Sequence, residues 1–234
     1  MSIESANMEP NQDRSIVPQP SRELAASPIS ANRILGEMVE STLAIVNEVT
    51  REAEFDALVK EAKRLQEGGA GNEMSPNNVR AFQLFLRAAE GGHVEAQYEV
   101  AECFGWGTGV AKDSEECDRW FRLAAEQGHV DAQSMLGMFR LGKSEESTKW
   151  LRKAAEQGDY GAQTMLGCRL AAGEGMKRDD CEGLAWIQLA LDADQGDTWM
   201  QDQAVAIASS MSPAELEKTR ELFQDYKRKY STKG

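Results

Sequence analysis

The stretch LAAEQGHVDAQ, at residues 123–133, occurs in closely similar form at two other places in the chain. These are LRAAEGGHVEAQ at 86–97 and RKAAEQGDYGAQ at 152–163. In each copy a glycine follows a helical pattern, and glycine enters the left-handed conformation beyond a helix end without steric cost. The residue after it is histidine or aspartate, where the next helix needs an N-cap acceptor. The repeated stretch therefore predicts a helix end, a short corner and a new helix, and we interpret it as scaffold.

The alanines of these stretches recur at regular intervals. The spacings are 36, 30 and 36 residues between Ala88, Ala124, Ala154 and Ala190, and periods of about 20 to 50 residues are typical of helical solenoids. A tryptophan lies four residues before each of the last three alanines, and packed helices interdigitate by setting large rings against small residues. We therefore predict three rings buried between helices: Trp120, Trp150 and Trp186.

The repeated units share a longer motif. It reads AQ-x2-[LV]-[GA], then GxG-[VM]-x2-D, then W-x3-AAEQG, and it resembles the Sel-one-like repeat, a relative of the tetratricopeptide repeat. The resemblance covers residues 55–199. It implies an all-α fold, a right-handed α-solenoid of antiparallel helix pairs, here with a disordered N-terminal tail. The clearest units begin AQYEVAECFGWGTGVAKD at 96 and AQTMLGCRLAAGEGMKRD at 162. The unit between them lacks the GxGV loop, so we expect a shorter inner turn there.

Composition divides the chain into four predicted segments. Residues 1–29 hold four of the six prolines among polar residues and can bury too little to offset the entropy of ordering, so we expect a disordered tail. Residues 30–67 are predicted to be a helical segment that includes the first helix of a degenerate repeat. The Sel-one-like repeats occupy 68–199. Capping helices occupy 200–234, and the last of them starts at a predicted capping box, Ser212–Glu215.

The titratable residues form no motif typical of an active site or a metal centre. His93 and His129 occupy the corner position that Asp159 and Asp197 fill in other units, which favours a capping role over a metal or base role. The four cysteines form no CxxC pair and are predicted to be buried, reduced thiols. The GxG pairs lack the Lys-Ser/Thr of a phosphate loop, so we interpret them as tight turns. We therefore expect no enzyme activity, no catalytic residues, no cofactor and no metal.

Charge and hydropathy restrict the partners. The formal net charge of −13 disfavours nucleic acid and anionic membranes, because both would meet a like-charged surface. No apolar run is long enough to span a bilayer and the first residues lack a signal-peptide pattern, so we expect a cytoplasmic protein. Secretion by a signal-independent route stays open. The oligomeric state stays open too, as does whether the N-terminal helices cap the solenoid or bind a partner.

A helical solenoid without catalytic motifs favours a non-catalytic adaptor or scaffold that binds a protein or peptide on its concave surface. The acidic chain favours a partner with basic and apolar residues. A secreted effector or an immunity-type regulatory protein with the same surface is the alternative, and a hydrolase is a distant one.

The predicted binding surface follows from a helical wheel. In the first clear unit Ala96, Val100 and Phe104 form an apolar stripe that points inward, so the opposite side of that helix is predicted to bind. For two methionines, Met135 and Met165, packing against the neighbouring unit is an open alternative. With the equivalent positions of the next two units, the predicted binding residues are Glu95, Tyr98, Glu99, Glu102, Trp106, Ser134, Met135, Met138, Thr164 and Met165.

Overall fold

The computed structural model describes residues 28–68, 73–142, 144–194 and 198–230, without the side chains of 28–32 and 194. All regular secondary structure in these ranges is helical. The helices are α1 (Pro28–Gly68), α2 (Pro76–Glu90), α3 (Val94–Trp106), α4 (Ser114–Glu126), α5 (Val130–Met135), α6 (Glu145–Glu156), α7 (Tyr160–Ala172), α8 (Asp180–Asp194), α9 (Thr198–Ala208) and α10 (Pro213–Tyr230). A short π-helix, Leu136–Arg140, continues α5.

Helix α1 is a single helix that begins at Pro28, slightly before the predicted helical segment, and runs to Gly68. The predicted disordered tail otherwise lies outside the described residues. The chain divides into two compact units, Met1–Val49 and Thr50–Gly234. The second half of α1 therefore belongs to the unit that contains α2 to α10.

In this second unit, helices α2 to α8 pack in chain order, each against the next. This is the predicted arrangement of stacked helix pairs in an all-α solenoid. The repeated alanines are fully buried, which lets neighbouring helices approach closely. The tryptophans that precede them are buried as predicted, so they are core residues and not contacts for a partner: Trp120, Trp150 and Trp186.

The corners between units have the predicted geometry. The corner glycines are left-handed, with φ of +94°, +96° and +97° in chain order. The side chain that follows each glycine accepts a hydrogen bond from the backbone N–H three residues further on, and so caps the next helix. These pairs are Gly92–His93, Gly128–His129 and Gly158–Asp159. The fourth predicted pair, Gly196–Asp197, lies outside the described residues.

Repeated glutamines tie each corner to the helices on either side. Gln97 of α3 donates from Nε2 to the carbonyl oxygen of Ala89 in α2 at 3.3 Å. Gln127, at the end of α4, donates to the side-chain oxygen of Gln97 at 2.7 Å. Because these amides are buried or partly buried, the hydrogen bonds make both glutamines of the repeat motif part of the scaffold. The pattern recurs in the pairs Gln133–Ala125, Gln157–Gln133 and Gln163–Ala155.

The shortened unit closes its inner turn with the π-helix Leu136–Arg140 in place of a GxGV loop. Helix α6 follows directly after its N-cap, Ser144. Arg169 of α7 is buried and donates to the carbonyl oxygens of Gly137 and Gly142 at 2.9 and 3.1 Å. The expected shortening is confirmed, and a buried guanidinium satisfies carbonyl groups of the turn.

The C-terminal helices close the array. The N–H of Ser212 donates to the Glu215 carboxylate at 2.8 Å, and the N–H of Glu215 donates to Ser212 Oγ at 3.4 Å, which is the predicted capping box. Helix α10 packs on α8, where the ring centroid of Trp186 lies 4.6 Å from that of Tyr226 and 5.3 Å from that of Tyr230. The last repeat is therefore covered, as a terminal unit of a solenoid requires.

Candidate functional site

The predicted binding residues lie on the first helices of three successive units: α3, α5 with its π-helix, and α7. Helices α3 and α5 start side by side, since His129 Nε2 lies 3.0 Å from Glu95 Oε2. The predicted exposure is wrong for two of these residues, because Ser134 is only 4% exposed and Thr164 only 1% exposed. A small polar side chain is easily buried where a neighbouring helix passes close, and Thr164 satisfies its hydroxyl by donating to the Tyr160 carbonyl oxygen at 2.9 Å.

The methionines of the predicted surface are only partly exposed. Met135 packs against the core of the first repeats, whereas Met138 and Met165 pack against the core of the last repeats. The open alternative for Met135 and Met165 was packing against the neighbouring unit, and both side chains do pack on the buried cores of the repeats. Flexible thioether chains fill irregular gaps, so these side chains serve the scaffold first and offer a partner only their remaining exposed surface.

Two of the predicted acidic contacts are held within the chain. Lys63 Nζ of α1 lies 2.6 Å from a carboxylate oxygen of Glu95 and 2.8 Å from one of Glu99. Burial lowers the pKa of Lys63, but the hydrogen bonds that it donates to these carboxylates outweigh burial and raise the pKa overall. Burial raises the pKa of Glu95, but its hydrogen bonds with Lys63 and His129 lower it overall. A basic partner would therefore have to displace Lys63 to reach this pair.

Tyr98 is also part of the scaffold. Its ring stacks on the ring of His129, with centroids 4.6 Å apart and planes 7° apart, and lies 5.7 Å from the ring of Phe121. Burial, followed by nearby carboxylates, raises the pKa of the Tyr98 phenol to about 12, so the phenol stays protonated. The ring joins α3 to α5 and leaves only part of its surface for a partner.

Trp106 is the predicted residue that best fits a contact with a partner. Its side chain is 63% exposed at the C-terminal end of α3. Its indole Nε1 donates to Glu102 Oε2 at 2.8 Å, one turn earlier in the same helix. This hydrogen bond orients the ring and places a carboxylate at the edge of an exposed aromatic ring.

Phe139 is an exposed aromatic residue that the sequence reasoning missed. Its side chain is 68% exposed, although the equivalent residues of the other units, Cys103 and Arg169, are buried. A π-helix has more residues per turn than an α-helix, which rotates Phe139 out of the core. Trp106 and Phe139 thus both lie near the C-terminal ends of successive first helices, α3 and α5 with its π-helix. The available signal was a large aromatic residue in the unit that lacks the GxGV loop.

Both histidines use their ring nitrogens to hold the corners. Nδ1 of each accepts the backbone N–H three residues further on, at 3.2 Å for His93 and 3.3 Å for His129. An accepting Nδ1 carries no proton, so the network assigns the proton to Nε2, which donates at 3.0 Å to Asp56 and Glu95 respectively. The predicted capping role is confirmed.

Replacing the histidines with asparagine, in the variant His93→Asn with His129→Asn, is expected to lower the free energy of unfolding by less than about 1 kcal/mol per site, because the amide oxygen can accept the same N–H. Alanine at both sites removes that acceptor and is expected to cost a further 0.5–2 kcal/mol or so per site. Urea unfolding of the three proteins measures both changes. Equal losses for the asparagine and alanine variants would contradict the capping role.

The four cysteines are free thiols, and most of them are packed in the interior. Cys103, Cys117 and Cys181 are buried as predicted, whereas Cys168 is partly exposed, and none of the four is in a disulfide. Burial raises the pKa of the Cys103 thiol to about 12 and that of Cys117 to about 11, so both stay protonated and unreactive. Among the residues that the structure describes, no three His, Cys, Asp or Glu side chains are grouped as ligands for a metal ion.

One known family model matches most of the second compact unit. The family model described as Sel1 repeat matches four segments, residues 62–93, 94–129, 130–159 and 161–195. The first of these contains the degenerate unit, and the others begin at or next to the corners described above. Together the four segments cover more than half of the chain.

Two curated fungal proteins share a short stretch with this chain. Chitin synthase regulatory factor 3 of Schizosaccharomyces pombe is 37% identical over 62 residues, which are 26% of this chain and 7% of that protein. Chitin synthase regulator SKT5 of Saccharomyces cerevisiae is 34% identical over 62 residues, which are 26% of this chain and 9% of that protein. The matched stretch thus spans less than a tenth of either relative.

Two solved structures are similar to this one. A Sel1 repeat protein from Oxalobacter formigenes has a TM-score of 0.60 and 24% identity, over 81% of this chain and 78% of that one, which shows a common fold. A protective antigen of uropathogenic Escherichia coli strains, which displays an SLR fold, has a TM-score of 0.45 and 26% identity, over 76% of this chain and 46% of that one. In the described ranges, no helix combines the length and apolar character needed to cross a bilayer.

Proposed function

The chain belongs to the Sel1 repeat family, and from this membership we propose that it is a non-catalytic adaptor that binds a protein or peptide across the first helices of its repeats. Sel1 repeat proteins are protein-interaction modules. Both fungal relatives are named as regulators of chitin synthase. Because the matched stretch is so small a part of those proteins, we carry over only their regulatory character and not their target.

The observation that carries the proposal is the exposure of two aromatic rings, Trp106 and Phe139, on successive first helices. Large aromatic side chains are the commonest anchors at the centres of protein interfaces, where they fill pockets of the partner. Helical solenoids bind along the surface that stacked repeats present together, and each of these rings lies near the C-terminal end of its helix. A partner that covers both rings would contact at least two repeats at once.

The proposed partner carries a basic residue beside apolar ones. Glu95 and Glu99 are held by Lys63, whereas Glu102 lies next to the exposed ring of Trp106. An arginine or lysine placed over that ring gains a cation–π contact and comes within reach of the Glu102 carboxylate. The net charge of −13 attracts such a partner at longer range.

The test compares what the immobilised full chain captures from a lysate of its own cells before and after both rings are removed. We expect the variant Trp106→Ser with Phe139→Ser to lose at least tenfold of one or more captured proteins, because both anchors are gone. Quantitative mass spectrometry measures the loss. Tyr98, Met138 and Met165 are poorer targets, since serine there would also disturb the core.

Trp199→Ser is the matched control. Trp199 is also an exposed tryptophan, but it lies at the N-terminal start of α9, whereas Trp106 and Phe139 lie near the C-terminal ends of their helices. We expect this control to capture the same proteins as the unchanged chain, and circular dichroism to show equal helicity in all three proteins. Full capture by Trp106→Ser with Phe139→Ser would show that partners bind elsewhere.

A further inference from the structure

The first half of α1 carries a wide apolar face. With about 3.6 residues per turn, the large apolar side chains between residues 33 and 49 fall within one half of the helix circumference. The opposite half carries charged residues, among them Glu37, Glu40 and Glu48. Eight large apolar residues form this face, and each exposes about half or more of its side chain: Ile34, Leu35, Met38, Val39, Leu43, Ile45, Val46 and Val49.

This face is large for an exposed surface. Its eight side chains together expose roughly 900 Å² of apolar area, which is more than the largest apolar patch on a typical monomer. The same area is about what each partner contributes to a standard protein interface, roughly 800 Å². An apolar surface of this size is therefore expected to be buried against a binding partner in the functional protein.

We propose that the apolar face of residues 33–49 binds the same face of a second copy of this chain, and so forms a two-fold dimer. An identical copy presents an equally apolar face of the same length, and most soluble oligomers pair the same surface of both subunits in this way. Pairing the two faces buries enough apolar area for a stable dimer. The proposal concerns a helix outside the repeats and does not depend on the function proposed for them.

The polar groups near the face are compatible with this pairing. Thr42 lies near the middle of the face, and its Oγ1 donates to the Met38 carbonyl oxygen at 2.7 Å, so the hydroxyl can be buried. The residues nearest the two edges, Gly36 and Ser41, are small and uncharged, and Ser41 Oγ donates to the Glu37 carbonyl oxygen at 2.8 Å. Small edges let two helices approach closely, and two copies meet there without facing like charges.

The charges around the apolar face favour a second copy of the chain over an anionic membrane or a basic partner. A helix that lies on an anionic membrane carries lysine and arginine on its polar side, whereas residues 33–49 carry three glutamates there and one basic residue, Arg33, which is paired with Glu37. A basic partner would be selected by carboxylates at the rim of the face, but the nearest edge positions are Gly36 and Ser41. The observations therefore favour an apolar partner whose edges are also uncharged, which a second copy provides.

The experiment measures the mass of the full chain in solution. Sedimentation equilibrium of the unchanged protein at tens of micromolar is expected to give twice 25.8 kDa. Leu35→Glu and Val49→Glu, tested singly, are each expected to weaken the dimer by about a hundredfold or more, because two-fold pairing buries two uncompensated carboxylates. Both positions are exposed and glutamate favours helix, so circular dichroism is expected to stay unchanged.

The matched control is Ala44→Glu, which adds the same charge on the opposite side of the same helix. We expect this variant to dimerise like the unchanged protein. A monomer in the unchanged protein at about 100 µM would overturn the proposal, as would a loss of the dimer in Ala44→Glu equal to that in Leu35→Glu. A mass that keeps rising beyond the dimer would overturn the two-fold arrangement.

Discussion

Replacing Trp186 with alanine is expected to lower the free energy of unfolding by about 3–5 kcal/mol. The side chain is fully buried, and its ring contacts Tyr226 and Tyr230 of α10. Alanine leaves a cavity between α8 and α10 and removes both aromatic contacts. Urea unfolding measures the total loss. Hydrogen exchange should show that the amides of α10 lose protection first, because this ring is a main contact of that helix with the repeats.

The control is Trp199→Ala, which removes a tryptophan from the neighbouring helix α9. Because about half of the Trp199 side chain is already exposed, we expect a loss below about 1 kcal/mol and normal protection of α10. A loss of less than about 1 kcal/mol for Trp186→Ala as well would show that other contacts hold the last helix in place.

Gly109→Ala is expected to lower the free energy of unfolding by about 3 kcal/mol or more, from two separate causes. The residue is left-handed, with φ of +75°, so any side chain is strained. An added Cβ would also lie 2.1 Å from the carbonyl oxygen of Asn78 at the start of α2, which is backbone and cannot move aside easily. Gly109 further donates its N–H to the Glu73 carbonyl oxygen at 2.7 Å. The glycine thus has two roles. It forms the tight turn that the GxG motif predicts, and it lets that turn pack closely against the preceding unit.

Gly128→Ala separates the two causes. Gly128 is also left-handed, with φ of +96°, but a Cβ there would meet no atom within 4 Å. We expect this variant to lose only the strain energy, about 1–2 kcal/mol. Thermal and urea unfolding of both variants measure the difference, which is the cost of the close approach to Asn78. Equal losses in the two variants would mean that the neighbouring backbone yields.

The fold of the repeats was predictable because its signals are local and repeated. The corner at Gly128 and His129 depends on a backbone conformation and a hydrogen bond that reaches only three residues along the chain. The capping box of Ser212 and Glu215 has the same short range. Repetition of the corner at a regular period then specified stacked helix pairs, since each pair must bury its apolar stripe against the next.

The binding surface was predictable only in part, because a helical wheel ignores what lies beside the helix. It placed Ser134 and Thr164 on the open side, where neighbouring helices bury them. It assumed an α-helix at Phe139, where the π-helix turns the ring outward. Trp106 was predicted correctly as exposed, because α3 has regular helical geometry up to its end.

Two further features of the repeats depend on residues that are distant in sequence: the pairing of a carboxylate and the choice of a glycine. Lys63 pairs with Glu95 across 32 positions, so a pattern read within one repeat cannot show that this carboxylate is already neutralised. The glutamine of the AAEQG motif is replaced by Gly91 in the first copy, because a Cβ there would lie 2.1 Å from the ring of Phe55.

The sequence by itself determined the helix pairs, their corners and their caps, because the hydrogen bonds that form them span about four residues or fewer. Only the tertiary structure decided which side chains a partner can reach. Exposure at Phe139 and Trp106, and the internal pairing of Glu95, arise from how helices of different units pack, and such contacts join residues that lie about thirty positions apart.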